Sequence, residues 1–320
     1  MKRVIRFMII CSIILWQSAS LAGSVGIGTN PQGSLGYSIA SAIAKVITEY
    51  GGIETRAVGM GGSSVFIPQV NSGELAFGTS NTFETIFATT GGGNFSGTPN
   101  PNLRVVAALV PFTVGIMVRA DSDIKEITDL KGKRFPSKYA RMKLVGLIQD
   151  AVFEAVGMSE KDIRPVPVPN FVKGSELLAE GKVVGVLTSP GSGVTKKTNA
   201  LVPVRFLNIP NTPQVVASLT KSLPSAYLAK VKPSKGNTGI MEPIHLVGYQ
   251  YALVTNSSVA EEVAYKAAKA TAENKKSLSE AHGVFNRFIP ENMVVSLPGA
   301  TYHPGAIKYY KERGWWPPAK

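Results

Sequence analysis

Two periods of apolar residues alternate along this chain. From Ser24 to Thr29 a short apolar run reads as a strand. Between Tyr37 and Tyr50, Ile39, Ile43, Val46 and Ile47 recur at helical spacing, which predicts an amphipathic helix. Glu54 to Val58 and Leu75 to Thr79 read as further strands, with a helix beginning after the Gly59–Ser64 loop. Later strands are expected at Val105 to Val110, where Pro111 breaks the run, and at Val114 to Arg119, Lys133 to Phe135, Arg164 to Val168, Val183 to Leu187, Val204 to Ile209 and Val247 to Val254. Helices are expected at Ile124 to Leu130, Met142 to Val156, Ser175 to Glu180 and Val259 to Leu278. Strand–loop–helix alternation of this kind predicts an α/β fold with mainly parallel sheet flanked by helices.

The pattern starts afresh after Arg119, which divides the chain into two α/β units. Extended segments near 112–118 and 246–252 would join them. We therefore expect residues 23–112 and 249–320 to form one lobe and residues 113–248 the other, with a ligand in the cleft between them. Two lobes on two crossings close over a ligand like a hinge.

The first residues form a separate unit. Lys2, Arg3 and Arg6 precede an apolar run from Phe7 to Trp16, too short to cross the ~30 Å core of a bilayer as a helix. Ser20-Leu21-Ala22 is a small-x-small cleavage pattern, so residues 1–22 read as a signal peptide cut after Ala22. Cys11, the chain's one cysteine, would leave with it, and the exported chain would lack a thiol.

Composition agrees with a folded, exported protein. Of 320 residues, 44% are hydrophobic and 17% charged, which is unlike a disordered chain. The net charge of +13 falls to +10 without the leader. Residues 23–112 carry −1, residues 113–248 carry +8 and residues 249–320 carry +3. Charge concentrated in one lobe suits an anionic ligand. Nucleic acid is a poor partner, because no basic stretch is interleaved with aromatics.

Several loops offer binding groups. In Gly28-Thr29-Asn30-Pro31-Gln32-Gly33-Ser34-Leu35-Gly36-Tyr37, glycines bring backbone N–H groups close to a ligand at a helix start, which suits a carboxylate or phosphate. Its spacing is neither a dinucleotide fingerprint nor a P-loop. Thr29, Gly33, Ser34, Gly36 and Tyr37 are candidates, although the same glycines would also serve a tight turn. Gly62 and Ser63 repeat the device, with Ser63 or Ser64 as N-cap. Ser80 and Asn81 close a strand, where open α/β sheets bind ligands. In the second lobe, Ser137, Tyr139 and Arg141 link strand to helix, and Ser189 follows the Val183–Leu187 strand. Arg141 could hold a carboxylate in bidentate fashion.

Catalytic patterns fail. There is no G-x-S-x-G, and His245, His282 and His303 lack metal-ligand spacing. We expect no enzyme, no metal and no cofactor.

In order along the chain, Gly28-Thr29, Gly33-Ser34-Leu35-Gly36-Tyr37, Gly61-Gly62-Ser63, Arg119-Ala120-Asp121-Ser122, Asp129-Leu130-Lys131-Gly132-Lys133-Arg134 and His303-Pro304-Gly305-Ala306-Ile307-Lys308-Tyr309-Tyr310 resemble TAXI-type TRAP transporter solute-binding proteins. The resemblance implies a two-lobe, type II-like periplasmic binding protein. It would deliver a carboxylate or an amino acid such as glutamate, dicarboxylates included, to a TRAP-type membrane permease. Ser137-Lys138-Tyr139-Ala140-Arg141 and Gly236-Asn237-Thr238-Gly239 depart from the family's Gly-Ser-Gly-Thr and Gly-Thr-Tyr-Pro stretches, so ligand identity does not carry over. We expect a monomer. A ligand-sensing subunit for a membrane kinase and an extracytoplasmic enzyme acting on a small anion are the competing readings.

Overall fold

The computed structural model describes residues 25–318. The expected leader, its cleavage after Ala22 and Cys11 lie outside the described residues.

The described chain opens with Val25–Thr29 (β1), Leu35–Gly51 (α1), Thr55–Gly59 (β2), Ser63–Ser72 (α2), Phe77–Asn81 (β3) and Thr82–Thr90 (α3). Helix α1 forms because Ile39, Ile43, Val46 and Ile47 fall on one face, and all four are fully buried. β1 pairs in parallel with β2 and with β3. Sequence reading places β3 two residues early: Ser80 and Asn81 belong to the strand.

Leu103–Arg119 (β4) is one continuous strand, although Pro111 was expected to break it. Pro111 sits opposite Gln250 beside a register shift, the kind of irregularity at which a strand accommodates proline. The chain continues with Arg134–Ser137 (β5), Lys143–Ala155 (α4), Arg164–Pro167 (β6), Phe171–Ala179 (α5), Gly185–Thr188 (β7), Gly193–Leu201 (α6), Val204–Phe206 (β8), Pro213–Ser222 (α7) and Tyr227–Val231 (β9). α7 and β9 have no counterpart in the sequence reading. The segment expected as a helix at Ile124–Leu130 is a 3-10 turn, Ile127–Leu130.

The chain returns through Ile244–Asn256 (β10), antiparallel to β4 from Asn256–Leu103 to Val247–Val114. Towards its end β10 also pairs with β3, and at its start with β9. β4 correspondingly ends against β7 and β8. The sheet is therefore mixed. Parallel pairing holds in β2–β1–β3 and in β5–β6, while the two crossing strands run in opposite directions and pair antiparallel with their neighbours.

The expected helix at Val259–Leu278 is two helices, Glu261–Glu273 (α8) and Lys275–Ala281 (α9), divided at Asn274. Helix α8 packs on α1, and Pro304–Glu312 (α10) packs on α8. His303 Nδ1 accepts from Gly305 N–H and so caps α10. That gives the His-Pro-Gly motif a structural task. Among the described residues no helix is long and apolar enough to cross a membrane.

Candidate ligand-binding site

The starts of α1 and α6, far apart in sequence, meet. Ser34 Oγ accepts from Tyr37 N–H at 3.0 Å and caps α1. Leu35 and Gly36, in the first turn, have N–H groups with no intrahelical acceptor. Ser192 Oγ accepts from Thr195 N–H at 3.0 Å and caps α6 in the same way. The two caps adjoin: Val194 N–H, in the first turn of α6, donates to the Gly33 carbonyl at 2.9 Å.

Beside this junction lies a cavity of about 50 Å³. Asn30, Ser34, Thr188, Ser189 and Ser192 supply its polar lining. Leu35, Phe112, Val114, Met142, Leu144, Val145, Ile148, Phe171 and Leu187 supply the apolar part, and Tyr249 adds a ring that carries a hydroxyl. Phe112 stacks between Tyr249 and Tyr251, with ring centroids 5.2 and 5.0 Å away, so aromatic rings line the place where the strands cross. Asn30 Nδ2 donates to the Tyr251 hydroxyl at 3.2 Å, while Asn30 Oδ1 is buried without a partner among the described residues. Burial pushes the Tyr251 phenol well up, so it remains a neutral O–H. Gly36 is required here, because a Cβ at that position would come within 2.5 Å of the Tyr251 hydroxyl.

Larger open grooves flank the cavity. One, of about 680 Å³, runs past Ser137, Tyr139, Asp150 and Glu160. The other, of about 640 Å³, runs between Ser189, Lys196, Asn237, His282 and Arg287. Neither includes both helix caps.

A model of the NMT1-like family matches residues 27–314. This chain belongs to the NMT1-like family. Solved structures similar to this NMT1-like protein include MatC from Rhodopseudomonas palustris with bound malate, 11% identical, covering 91% of this chain and 97% of that one at a TM-score of 0.58. A periplasmic transporter is 13% identical, with 93% and 96% covered and a TM-score of 0.58. The ligand-binding component of an ABC-type import system from Staphylococcus aureus, with zinc bound, is 11% identical, with 92% and 94% covered and a TM-score of 0.53. At such identities the likeness is one of fold, and the NMT1-like chain has the two-lobe fold of periplasmic solute-binding proteins.

Within it, the cavity collects Ser34, Gly36 and Ser189 of the residues singled out from sequence. Gly33 touches the opposite lobe through its carbonyl. Thr29 Oγ1 accepts from Thr79 Oγ1 at 2.7 Å behind the cavity. Tyr37 turns away: its ring packs on Gly59 and its hydroxyl accepts from Gln32 Nε2 at 3.3 Å. Gly62, and not Ser63 or Ser64, is the N-cap of α2, with no side-chain cap bond. Ser137 Oγ donates to the Glu160 carboxylate, and Tyr139 is buried with its hydroxyl donating to Gln149 Oε1 at 2.9 Å. Arg141 is exposed, with its stem lying over Gly61. Its side chain is outside the cavity because the backbone at 141 packs against the Gly61-Gly62 turn.

Ser63 and Asn81 instead serve a residue that sequence reasoning passed over. Glu84 is 1% exposed; its Oε1 accepts from Ser63 Oγ at 2.6 Å and from Asn94 Nδ2 at 2.9 Å. Asn81 Oδ1 caps α3 by accepting from Glu84 N–H at 2.8 Å, and Ser80 is buried beside it. Burial pushes the Glu84 carboxyl up to about 7, against hydrogen bonds from Ser63, Asn94 and Ser80 that favour the charged form. The Asn81-x-x-Glu84 spacing, half of a capping box, was the available signal. Among the described residues no group of three or more His, Cys, Asp or Glu is placed to hold a metal ion.

Proposed function

We propose that this protein is an exported periplasmic receptor that captures a small organic anion between its lobes and hands it to a membrane permease. The observation that carries this reading is the meeting of two helix N-termini, one from each lobe, on a single cavity. Unpaired N–H groups and the positive ends of two helix dipoles suit a carboxylate. The +8 charge of residues 113–248 would draw an anion to the cleft mouth. Ser34, Gly36, Ser189 and Ser192 touch the ligand, while Thr29, Ser63, Ser80 and Asn81 hold the loops that carry it. Residues 23–112 and 249–320 move as one lobe and residues 113–248 as the other. MatC, with malate bound on the same fold, supports a carboxylate as cargo. The ordered TAXI-like motifs support a TRAP-type permease as the recipient and an amino acid or other carboxylate as ligand.

A cavity of 50 Å³ is about a third of the roughly 150 Å³ that accommodates benzene, so a ligand enters only when the lobes part. Closure then removes water from around the anion and strengthens its hydrogen bonds. Mass spectrometry of the protein purified from periplasm, followed by calorimetry with a panel of carboxylates and neutral solutes, tests the reading. A carboxylate bound one-to-one is the expected result. A panel in which only neutral solutes bind would overturn it.

A further inference from the structure

We infer that the groove of about 640 Å³ beside the cavity is an oxyanion subsite, in which Lys196, His282 and Arg287 hold a charged end of the ligand, a carboxylate or another oxyanion group. This rests on the reading of the protein as a receptor for a small organic anion, and it puts a point of charge recognition outside the cavity.

The groove shares Leu35 and Ser189 with the cavity, so the two adjoin. Its volume of about 640 Å³ falls within the range of small-molecule sites, roughly 300–1,000 Å³, and the 50 Å³ of the cavity does not. One edge is tied in place. Thr238 N–H donates to the Pro190 carbonyl at 3.2 Å, and Asn237 Nδ2 donates to the Lys232 carbonyl at 2.9 Å. Gly191 lies between Leu35 and the Gly236 carbonyl, where an added Cβ would stand 3.3 and 3.5 Å from them.

The cationic and imidazole groups come from two distant stretches of chain. Lys196 is near the start of α6; His282 caps and Arg287 ends the 3-10 turn Gly283–Arg287 that follows α9. Among the described residues neither Lys196 nor Arg287 forms an ion pair. Glu280, the acidic residue in the lining, lies 4.0 Å from Lys276 Nζ. His282 Nδ1 accepts from Val284 N–H at 3.2 Å, so the neutral ring carries its proton on Nε2 and offers a donor. Burial, and then the nearby Lys196 charge, hold this imidazole below its ordinary range.

Two buried hydroxyls extend the donor set. Ser189 is 5% exposed and Thr113 is 9% exposed, both line the groove, and among the described residues neither hydroxyl has a hydrogen-bond partner. Buried polar groups are nearly always paired, so these two fit a group supplied from outside. An apolar ligand end would leave them unpaired. A cationic end would face Lys196 and Arg287. An oxyanion satisfies all of them, and the planar guanidinium of Arg287 can meet it with two parallel N–H groups.

Proton NMR of the histidine rings in the full mature chain tests the subsite, with inorganic sulfate as the probe and chloride keeping the ionic strength constant. His282→Gln assigns the signal among the three histidines. An oxyanion beside the imidazole favours its charged form, so sulfate should raise the His282 midpoint saturably by about half a pH unit or more. His303, which caps α10 and does not line the groove, should not respond. Lys196→Ala combined with Arg287→Ala replaces two exposed side chains and should abolish the shift at an unchanged melting temperature. The same double variant should bind a carboxylate from the calorimetry panel at least tenfold more weakly. No sulfate shift in the parent protein, or an equal shift in the double variant, would sink the subsite. Unchanged carboxylate affinity in that variant would also sink it and leave the anion receptor standing. A sulfate response lost in the double variant, with no carboxylate of the panel bound, would keep the subsite and overturn the carboxylate receptor.

Discussion

The Arg141 carbonyl rests directly on Gly62, where a Cβ of any other residue would overlap it. Gly62 also has φ 153°, a backbone conformation open to glycine and strained for other residues. The opposing atom is backbone and cannot swing aside. Close approach of the lobes at this seam therefore depends on the missing side chain.

Gly62→Ala should stop the seam from closing. The expected outcome is at least a tenfold loss of affinity for the co-purifying ligand, about 1.4 kcal/mol or more. Small-angle scattering with saturating ligand should retain the larger radius of the ligand-free protein. Full compaction in the variant would show that the seam is not limiting.

Glu84 predicts a pH dependence of stability. Its carboxyl is raised from 4.5 to about 7 by burial, so the folded state holds its proton more tightly than the unfolded chain. Stability from this group is complete below about pH 4.5 and declines as pH rises through about 7. The loss is on the order of 3 kcal/mol. Glu84→Gln keeps the oxygen that accepts from Ser63 and Asn94 and cannot ionise. It should flatten the stability profile between pH 5 and 8 and raise the melting temperature at pH 8. An unchanged slope would remove Glu84 as its source.

Gly36 and Tyr251 form a tight pair at the cavity. Gly36→Ala would push a methyl to 2.5 Å from the phenol oxygen and should cost roughly 1–3 kcal/mol of stability. Tyr251→Phe removes that oxygen. Denaturation of the double variant should show part of the loss recovered, giving a favourable coupling in a double-mutant cycle. Strict additivity would mean the clash is relieved elsewhere.

Arg141 is the test of charge at the rim. Its side chain is exposed, so Arg141→Ala should change carboxylate affinity by less than about threefold at physiological salt. The loss should fade further as salt is raised. A loss greater than tenfold by calorimetry would bring the guanidinium into the bound state.

Local signals in the sequence reached much of this. The α1 stripe of Ile39, Ile43, Val46 and Ile47 set its own period, and Ser34 before it marked the cap that lines the cavity. Segments 112–118 and 246–252 stood out as extended, and they lie within β4 and β10, which pair with each other. What escaped was decided by partners distant in sequence. Pro111 reads as a breaker until Gln250 and its register shift stand opposite. Ser63 and Asn81 read as ligand contacts because Glu84, which accepts from Ser63 and donates its N–H to Asn81, is buried only when the starts of α2 and α3 come together. Tyr139 offers an aromatic ring to a ligand in one dimension and donates to Gln149 in three.

β4 and β10 stay laddered together from Asn256–Leu103 to Val247–Val114, so a joint between the proposed lobes would be a flexure rather than a pivot. Two free loops would let the halves swing with little resistance. A hydrogen-bonded ribbon bends and twists elastically, and it yields most where pairing slips, at the shift between Gln250 and Ala252 beside Pro111. Sliding one lobe along the other would break the ladder and is suppressed. An opening of the proposed kind would follow one stiff path and return along it, bringing the two helix caps back into register without a search.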